Sequence, residues 1–222
     1  MHHVCIEEQL RIEEALLRAD DGNWCLYNEG TQPRVVMGLG ARTEDVLTVA
    51  PPFPIIRRMS GGGTVIVDEG TFFLTFIGQK GWGPSSYSPS SIISWSAPYI
   101  TALHPKLEYL EGDLVYQNKK CGGHALSITK DRWLLHFSLL WTWNPSHMQY
   151  LAHPLRTPSY RKGRLHNEFL FPLAELECDR DLWFQKFVDQ LSGLPAEMSE
   201  IETIRRRPHR TTIKITYPRQ KD

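Results

Sequence analysis

Two glycine-rich segments, each beside a positively charged side chain, are the part of this sequence best suited to chemistry. The first, RRMSGGG, ends in Gly61, Gly62 and Gly63 and is followed by β-branched residues. Glycine has no Cβ, so a ligand can approach its backbone closely, and successive exposed amides can hold an anion. Arg58 could bind a carboxylate or phosphate through two parallel hydrogen bonds, and Ser60 adds a hydroxyl. A tight turn flanked by surface arginines is the alternative interpretation.

The second segment, GDLVYQNKKCGGHALSI, places an aspartate ahead of a lysine and another glycine pair. Asp113 lies seven residues before Lys120, and Gly122 and Gly123 follow the lysine. On a bent hairpin both side chains could face one site. Lys120 would supply positive charge where an oxyanion or phosphate develops, and Asp113 could orient Mg²⁺ or accept a proton. Two such segments in one chain favour a shared anion site over two unrelated turns.

The common nucleotide and metal motifs are missing from the sequence. There is no Gly-x-x-x-x-Gly-Lys-Ser/Thr loop, and GLGART does not complete Gly-x-Gly-x-x-Gly. The cysteines are far apart and form no Cys-x-x-Cys pair, which argues against zinc and favours a reducing compartment. They are Cys5, Cys25, Cys121 and Cys178. Any nucleotide site in this chain must be of another kind.

Length and charge exclude several classes of protein. The 222 residues suit a single domain over residues 1–222, and the formal net charge is +0. No global field steers such a chain onto nucleic acid or anionic lipid, so neither is an expected partner. The start shows no signal or Arg-rich transit peptide, and no apolar run reaches the ~20 residues of a membrane span. We expect a cytoplasmic monomer, or a mitochondrial one if the N-terminus is truncated.

The segment IEEQLRIEEALLRAD predicts an opening helix with one acidic side chain turned inward. Ile6, Leu10 and Leu17 fall on one helical face. Glu13 lies on that same face, whereas Glu14 is expected to point elsewhere. A carboxylate on the buried side needs a partner, and a salt bridge at the edge of the core is the simplest one.

The remaining segments predict strands and helices in mixed order. TVIVD and TFFLTFIG indicate a hairpin turning at residues 68–70, and SPSSIISWSAPYITAL indicates a helix interrupted by Pro98. Further strands, an irregular segment over residues 145–165, a late helix and a closing strand follow. Hairpins without regular βαβ alternation predict an α+β fold with a mostly antiparallel or mixed sheet flanked by helices.

Taken together, these motifs resemble the catalytic domain of lipoate-protein ligase A and its relatives among the biotin and lipoate ligases. The family motif Arg-Arg-x-Ser-Gly-Gly-Gly-x-Val, with a following Asp, is matched by residues 57–65 and Asp68. The motif Asp-Leu, then Lys-x-Ser/Gly-Gly-x-Ala, is matched by residues 113–125, and His-x-Ser/Thr-Leu-Leu by residues 136–140. The opening LRIEEALLR resembles the family's first helix, whose first glutamate, here Glu13, lines the site.

The resemblance implies a class II synthetase-like catalytic domain that works in two steps, here without a C-terminal accessory domain. Lipoate, or octanoate, and Mg-ATP give an acyl-adenylate and pyrophosphate. The acyl group then passes to a lysine of a lipoyl carrier domain, such as an E2 subunit of a 2-oxo acid dehydrogenase or the glycine cleavage H protein. ATP, Mg²⁺ and lipoate are thus ligands, with no tightly bound prosthetic group, and a separate accessory chain could assist.

The resemblance also implies roles for individual residues. Lys120 would offset the repulsion between the two anions, and Asp113 would either accept the proton of the carrier lysine or hold Mg²⁺. The implied substrate and adenylate contacts are Glu13, Arg58, Ser60, Gly61, Gly62, Gly63, Asp68, Gly122, Gly123, Ala125 and His136.

Departures from the family pattern keep other functions open. Gly112 replaces the usual Asn, Val67 a His or Tyr, and His124 an Asn or Ser. Octanoyl and lipoyl transferases of the same fold use a cysteine thioester instead of ATP. Cys121 adjoins Lys120, but its side chain should point away from the lysine along a strand. A non-catalytic protein that binds carrier domains is a further alternative, and the lack of Gly-Arg-Gly-Arg disfavours a biotin ligase.

Overall fold

This computed structural model describes residues 4–177, 179–191 and 196–217 and contains two β-sheets. The larger sheet is antiparallel throughout and follows the order β1 (Trp24–Glu29), β5 (Thr71–Gln79), β9 (Arg132–Leu140), β8 (Lys119–Ile128), β7 (Asp113–Tyr116) and β6 (Glu108–Leu110). The smaller sheet follows the order β10 (Lys214–Thr216), β3 (Ile55–Arg57), β2 (Arg34–Met37) and β4 (Val65–Val67), in which β2 and β3 are parallel.

Six α-helices accompany these sheets in the described part of the chain. They are α1 (Ile6–Ala19), α2 (Thr43–Val46), α3 (Pro89–Thr101), α4 (His166–Phe169), α5 (Arg180–Asp189) and α6 (Met198–Arg205). Three 3₁₀ turns occupy Pro145–Tyr150, Ser159–Arg161 and Leu173–Glu175. The predicted α+β class with antiparallel and mixed sheets is confirmed. No described helix has both the length and the apolar character needed to span a bilayer.

The predicted hairpin at residues 68–70 is wrong, because the two strands belong to different sheets. Strand β4 pairs with β2, whereas β5 pairs with β1 and β9. The turn between them is held by Asp68, whose Oδ1 accepts a hydrogen bond from the Gly70 amide at 3.1 Å. The apolar pattern of a segment indicates that a strand is buried, but it does not indicate which strand pairs with it. The chain therefore crosses here from one sheet to the other.

Helix α1 joins the two sheets because its apolar face touches both. Near its start, Ile6 and Leu10 pack with Val36 and Val67 of the smaller sheet. Farther along, other apolar side chains of α1 pack with strands of the larger sheet and with α6; they are Ile12, Leu16 and Leu17. Helices α3 and α5 contribute to the largest apolar cluster, on the larger sheet. Residues at the start of α1 therefore lie where the two sheets meet.

Two further sequence-based expectations about the helices need correction. Glu13 is fully buried as its spacing predicts, but Glu14 is fully buried too. The Thr212 amide donates to Glu14 Oε2 at 2.9 Å, because the segment before β10 covers this face of α1. Helix α3 continues through Pro98, which costs one backbone hydrogen bond without ending the helix.

A β-bulge between β7 and β8 decides which face of the larger sheet carries Lys120. Asp113 pairs with Gly123 and Leu114 with Gly122, but Val115 pairs with Lys120, so the bulge leaves Cys121 as an extra residue. Side chains alternate along a strand, so Asp113 and Val115 share a face, and the bulge adds Lys120 to it. Without the extra residue, the odd spacing between Lys120 and Gly123 would place the lysine on the opposite face.

Candidate active site

The two sheets and the segment after β9 enclose a cavity of about 520 Å³. Strands β4, β5, β7, β8 and β9 contribute to its wall, together with residues 148–170. Its apolar lining includes Ile6, Val36, Val65, Val67 and Phe73. Its polar lining includes Arg58, Asp113, Lys120, His124, His136 and Arg161. Both glycine-rich segments of the sequence therefore reach one cavity.

Lys120 and Asp113 line this cavity and form a connected polar group with Tyr160, which lies behind the aspartate. Lys120 Nζ lies 2.7 Å from Asp113 Oδ1, and the Tyr160 hydroxyl donates to Asp113 Oδ2 at 2.8 Å. Burial, and then the Asp113 carboxylate, raise the pKa of Tyr160 far above its ordinary value, so its hydroxyl remains a donor. The Phe171 amide donates to the Lys120 carbonyl at 2.9 Å and fixes the backbone of the lysine. The expected meeting of Asp113 and Lys120 on one hairpin is present.

The glycine pair after Lys120 leaves space for this ion pair. A Cβ on Gly123 would lie 3.0 Å from Lys120 Nζ and 3.4 Å from Asp113 Oδ1. A Cβ on Gly122 would lie 2.9 Å from the Ser138 carbonyl of the adjacent strand. Both glycines, like Ala125, line the cavity. A side chain at residue 123 would therefore crowd this ion pair and require the lysine ammonium to shift.

Arg58 is buried, and its guanidinium is mostly occupied by the protein itself. It donates from Nε to Ser60 Oγ at 3.1 Å and from Nη2 to the Gly61 and Gly63 carbonyls at 2.7 and 2.8 Å. Nη1 donates to the Val36 carbonyl at 3.2 Å, so one of the five N–H donors remains. Burial lowers the pKa of Arg58 to about 10, and Glu13 acts in the opposite direction. The expected bidentate grip on a substrate is not available in this arrangement.

The other first-motif residues lie at different depths. Gly63 lines the cavity, whereas Ser60 is buried beneath the loop and bonds Arg58. Gly61 and Gly62 are exposed, and Gly62 has a φ of +97°, which favours glycine. Asp68 does not line the cavity; its Oδ2 accepts from the Asn144 amide at 3.3 Å. Ser60 and Asp68 thus make supporting contacts and do not line the cavity in this arrangement, and their expected contacts with a substrate stay a prediction.

Glu13 reaches the cavity only through His136. Its Oε1 accepts from Gln9 Nε2 at 2.9 Å and Thr75 Oγ1 at 2.7 Å, and it lies 2.8 Å from His136 Nδ1. His136 lines the cavity, but Glu13 does not. The expected lining role of Glu13 is therefore corrected: this carboxylate holds the imidazole from behind.

The comparisons with known proteins begin with a family model. The model of the lipoyl protein ligase A/B catalytic domain matches residues 5–191. This chain belongs to that family. The resemblance found in the motifs is therefore confirmed, and residues 192–222 lie beyond the matched region.

A curated relative adds a qualification about activity. The inactive lipoate–protein ligase 2 of Plasmodium falciparum is 25% identical over 190 residues, which cover 67% of this chain and 49% of that protein. This chain thus spans about half the length of the curated relative it matches. Membership of the ligase A/B family consequently does not by itself establish catalysis.

Solved structures support the fold. Two Thermoplasma acidophilum structures, a lipoate protein ligase with bound lipoic acid and a bipartite ligase with its E2 lipoyl domain, match with TM-scores of 0.67 and 0.68. Both are 14% identical and cover 93% of this chain, and this chain covers 91% and 88% of them. A lipoate-protein ligase A bound with ATP matches at TM-score 0.64 and 15% identity, over 89% of this chain and 86% of that one. At these identities the matches show a shared fold.

The two departures from the ligase family pattern near the lysine contact each other. Gly112 has a φ of +92°, and a Cβ there would lie 3.3 Å from the ring of His124. The His124 ring donates from Nδ1 to the Gly112 carbonyl at 2.8 Å. Burial lowers the pKa of His124, so the ring is held in its neutral form. The two residues that differ from the family pattern, Gly112 and His124, are therefore in direct contact beside the cavity.

Cys121, the nucleophile that a thioester mechanism would require, is directed away from the cavity. Its side chain is fully buried in the apolar cluster on the opposite face of β8, and burial raises its pKa to about 12. Burial also raises the pKa of Cys25 to about 12, and Cys5 is exposed. None of the described residues that line the cavity is a cysteine. Cys178 lies outside the described residues.

A resident metal at Asp113 does not fit the donor set. Both oxygens of Asp113 are occupied, one by Lys120 and one by Tyr160. Across the described residues, no three His, Cys, Asp or Glu side chains form a group able to hold an ion. We therefore treat Mg²⁺ as part of the Mg-ATP substrate and assign it no ligand in the protein.

Sequence reasoning missed the residues supplied by the segment after β9. Arg161 and His166 line the cavity, and Tyr160 donates to Asp113. Tyr160 and Arg161 lie within residues 145–165, for which the sequence predicts only an irregular segment rich in Pro, His and Arg, and His166 follows directly. Burial lowers the pKa of His166 to about 4, with further lowering by Arg161, His153 and Lys120. The density of cations in that segment was the one signal available.

Proposed function

We propose that this chain is a lipoate-protein ligase that activates lipoate or octanoate with Mg-ATP and transfers the acyl group to a lysine of a lipoyl carrier domain. The observation that carries the proposal is the ion pair of Lys120 and Asp113, whose aspartate accepts a hydrogen bond from Tyr160. This ion pair lines a cavity that also has apolar walls. A cavity of about 520 Å³ suits a small acid with an apolar tail.

In the first step, a carboxylate oxygen of the acid attacks the α-phosphorus of ATP, and the bond to pyrophosphate breaks. Both reactants are anions, so a cation must offset their repulsion. Lys120 is suited to this because its ammonium has three donors and Asp113 occupies one. Removing such a contact from a site that excludes water raises the barrier by roughly 3 kcal/mol.

In the second step, the neutral amine of the carrier lysine attacks the acyl carbonyl, and AMP leaves with the electrons of the C–O bond. The new amide nitrogen must lose a proton, and Asp113 is the carboxylate in the cavity beside Lys120. It can accept that proton if Lys120 turns to the departing phosphate. We therefore assign Lys120 to charge and Asp113 to the proton.

The apolar walls explain how the tail of the acid would be held. Val65, Val67 and Phe73 line the cavity from β4 and β5, with Ile6 from α1. Burying a short alkyl chain against such side chains contributes about 0.8 kcal/mol per CH₂ group. A dithiolane or an octanoyl tail would both gain from this surface, so the walls do not choose between lipoate and octanoate.

The expected partners are lipoyl carrier domains, and one similar structure supports them. The Thermoplasma acidophilum ligase is described with its E2 lipoyl domain and as bipartite. By analogy, we propose a carrier domain as acceptor and keep a separate accessory chain as a possible helper. Residues 1–222 are proposed as one catalytic domain.

A second candidate is a carrier-binding protein without activity, because the curated Plasmodium falciparum relative bears the name of an inactive ligase. The two candidates separate in one assay, with purified protein, lipoate, Mg-ATP and an apo lipoyl domain. A ligase increases the mass of the carrier by one lipoyl group and releases pyrophosphate, and Lys120→Ala abolishes both. Carrier binding with neither product would select the inactive alternative.

The same assay distinguishes the thioester mechanism. Octanoyl-acyl carrier protein replaces free acid and ATP as the donor, and Cys121→Ser is compared with the wild type. A ligase keeps its activity with Cys121→Ser and needs ATP. The proposed reaction would be overturned if octanoyl-acyl carrier protein acylated the lipoyl domain without ATP and Cys121→Ser abolished this transfer.

A further inference from the structure

Arg161 is a buried cation in the wall of the cavity without an acidic partner among the described residues. Its exposure is 3%, and it lines the cavity from the 3₁₀ turn Ser159–Arg161. Nε donates to the Arg164 carbonyl at 2.9 Å, and the guanidinium lies 4.7 Å over the Phe169 ring. Its Nη2 is buried and has no hydrogen-bond partner in the described part of the chain. A buried charge that lacks a partner is unfavourable unless a ligand completes it.

The neighbouring charges do not compensate Arg161. Lys120 and Arg156 line the same cavity and add positive charge. The carboxylate of Asp113 is occupied by Lys120 and Tyr160. Glu111 also lines the cavity, but it accepts hydrogen bonds from Ser159 on the exposed side. This part of the wall therefore has an excess of cations with an unused donor.

Arg164 provides the contrast that makes Arg161 informative. It also lies over Phe169, at 5.4 Å, but its guanidinium donates to the backbone carbonyls of Asn118 and Tyr160 at 2.6 and 2.8 Å and does not line the cavity. Arg164 thus anchors the segment to the turn between β7 and β8. The guanidinium of Arg161 makes no such contact with that turn. Its Nη2 group therefore remains able to donate to a ligand.

We infer that Arg161 binds the polyphosphate chain of the nucleotide during acyl activation, an inference that rests on the proposed ligase function. A planar guanidinium matches two oxygens of a phosphate group. Lys120, Arg156 and Arg161 together are more positive charge than a single carboxylate would balance, whereas a triphosphate carries several negative charges. Arg161 would hold the leaving pyrophosphate while Lys120 contacts the reacting centre.

The test measures binding of inorganic tripolyphosphate to the full chain by titration calorimetry at fixed low salt, because exposed charges are screened at higher salt. The variants are Arg161→Gln and, as a matched control, Lys162→Gln, which removes the same charge from the exposed neighbouring residue. Binding is expected to weaken at least about tenfold in Arg161→Gln, as for a lost charged hydrogen bond, and to stay near the wild-type value in Lys162→Gln. Octanoate binding is measured in parallel and is expected to be unchanged.

Several results would overturn the inference. They are equal weakening in both variants, no tripolyphosphate binding by the wild type, or loss of octanoate affinity alone, which would assign Arg161 to the carboxylate. If Arg161→Gln does not fold, as judged by its melting temperature, Arg161→Lys replaces it, with an intermediate affinity expected. Arg161-dependent binding without any carrier acylation would refute the ligase function and leave the phosphate site standing. If the carrier is acylated but Arg161→Gln binds tripolyphosphate as tightly as the wild type, the ligase function stands and the role of Arg161 is refuted.

Discussion

At the scale of single residues, the cations of the two glycine-rich segments, Arg58 and Lys120, make very different contacts. Arg58 gives four of its five donors to Ser60 and to the carbonyls of Val36, Gly61 and Gly63. Lys120 has one such contact, with Asp113, and is a quarter exposed at 26%. Two ammonium donors therefore remain for a substrate oxygen. Direct contact with an anion falls to Lys120, while Arg58 shapes the loop.

Tyr160 should affect catalysis without touching the reacting atoms, because it positions Asp113. Tyr160→Phe removes the donor to Asp113 Oδ2 and leaves a buried carboxylate oxygen unsatisfied, at a cost of about 1–3 kcal/mol. We expect a fall in kcat for acylation of the carrier of about tenfold or more, with a smaller change in KM for lipoate.

Tyr87→Phe is the matched control for this prediction. In the wild type, the Tyr87 hydroxyl donates to the Thr129 and Arg132 carbonyls, and Tyr87 does not line the cavity. It should leave kcat, KM and the pH profile at their wild-type values. Equal kinetic losses in the two variants would mean that Tyr160 has only a structural role.

His166 predicts a component of the pH dependence of stability. Burial lowers its folded pKa to about 4, with Arg161, His153 and Lys120 adding to the effect, whereas the unfolded imidazole has a pKa near 6.5. Between those values the unfolded chain binds the extra proton, so stability falls as the pH decreases through this window. His166→Gln removes this component and should flatten the decline.

Urea unfolding free energies at about pH 7.5 and about pH 5 check the prediction, since the difference between them isolates the linkage. His104→Gln is the control because His104 does not line the cavity and is not among the groups that lower the pKa of His166. It should retain the wild-type decline between the two pH values. The assignment of His166 fails if its variant loses as much stability on acidification as the wild type.

At the scale of elements, the triple-glycine loop is held by one side chain. The guanidinium of Arg58 joins the carbonyls of Gly61 and Gly63, while the Leu39 amide donates to the Ser60 carbonyl at 2.9 Å. A Cβ on Gly38 would lie 2.2 Å from the Gly62 carbonyl, so two backbones meet closely here. One donor of Arg58 remains, so a bidentate grip on a substrate would require the release of at least one of these acceptors. We therefore expect such a grip only with a rearrangement of the loop.

Arg58→Lys should loosen this loop. A lysine cannot span the Gly61 and Gly63 carbonyls and Ser60 together, so local opening becomes easier. We expect hydrogen exchange of the Leu39 amide, which donates to the Ser60 carbonyl, to be at least about tenfold faster, which corresponds to about 1.4 kcal/mol. Arg57→Lys is the control, because Arg57 donates to carbonyls on the other side of the strand, including those of Gly38 and Ala41. Unchanged exchange in Arg58→Lys would show that the loop is held by other contacts.

At the scale of the whole molecule, the sequence predicted elements better than their partners. Helix α1 and the strands around Lys120 follow strong periodic patterns, and the motifs identified the two cationic segments that meet at the cavity. The pattern of β4 and β5 could not reveal that these strands enter different sheets, because both are simply buried. Tyr160 and Arg161 lie in an irregular segment, where no period marks which side chains turn inward. The burial of Glu14 could not be foreseen either, because it depends on a contact with Thr212, which lies far along the chain.

The C-terminal residues beyond the family match should be part of the folding unit. In that region α6 packs Ile201 and Ile204 against Ile12 and Leu16 of α1, and β10 extends the smaller sheet. Ile204 is 1% exposed, so Ile204→Ala should lower the free energy of unfolding by about 2–5 kcal/mol. Met198→Ala on the same helix removes an exposed side chain and should change it by less than about 0.5 kcal/mol.

Denaturant titration followed by tryptophan fluorescence and by circular dichroism measures both variants. If residues 196–217 fold together with the sheets, Ile204→Ala shifts the single transition seen by both probes. A separate early transition, or no shift of the main one, would mean that α6 and β10 fold independently of the site. Because α1 carries Glu13, which holds His136, the same variant should also weaken lipoate binding if the C-terminal region supports the cavity.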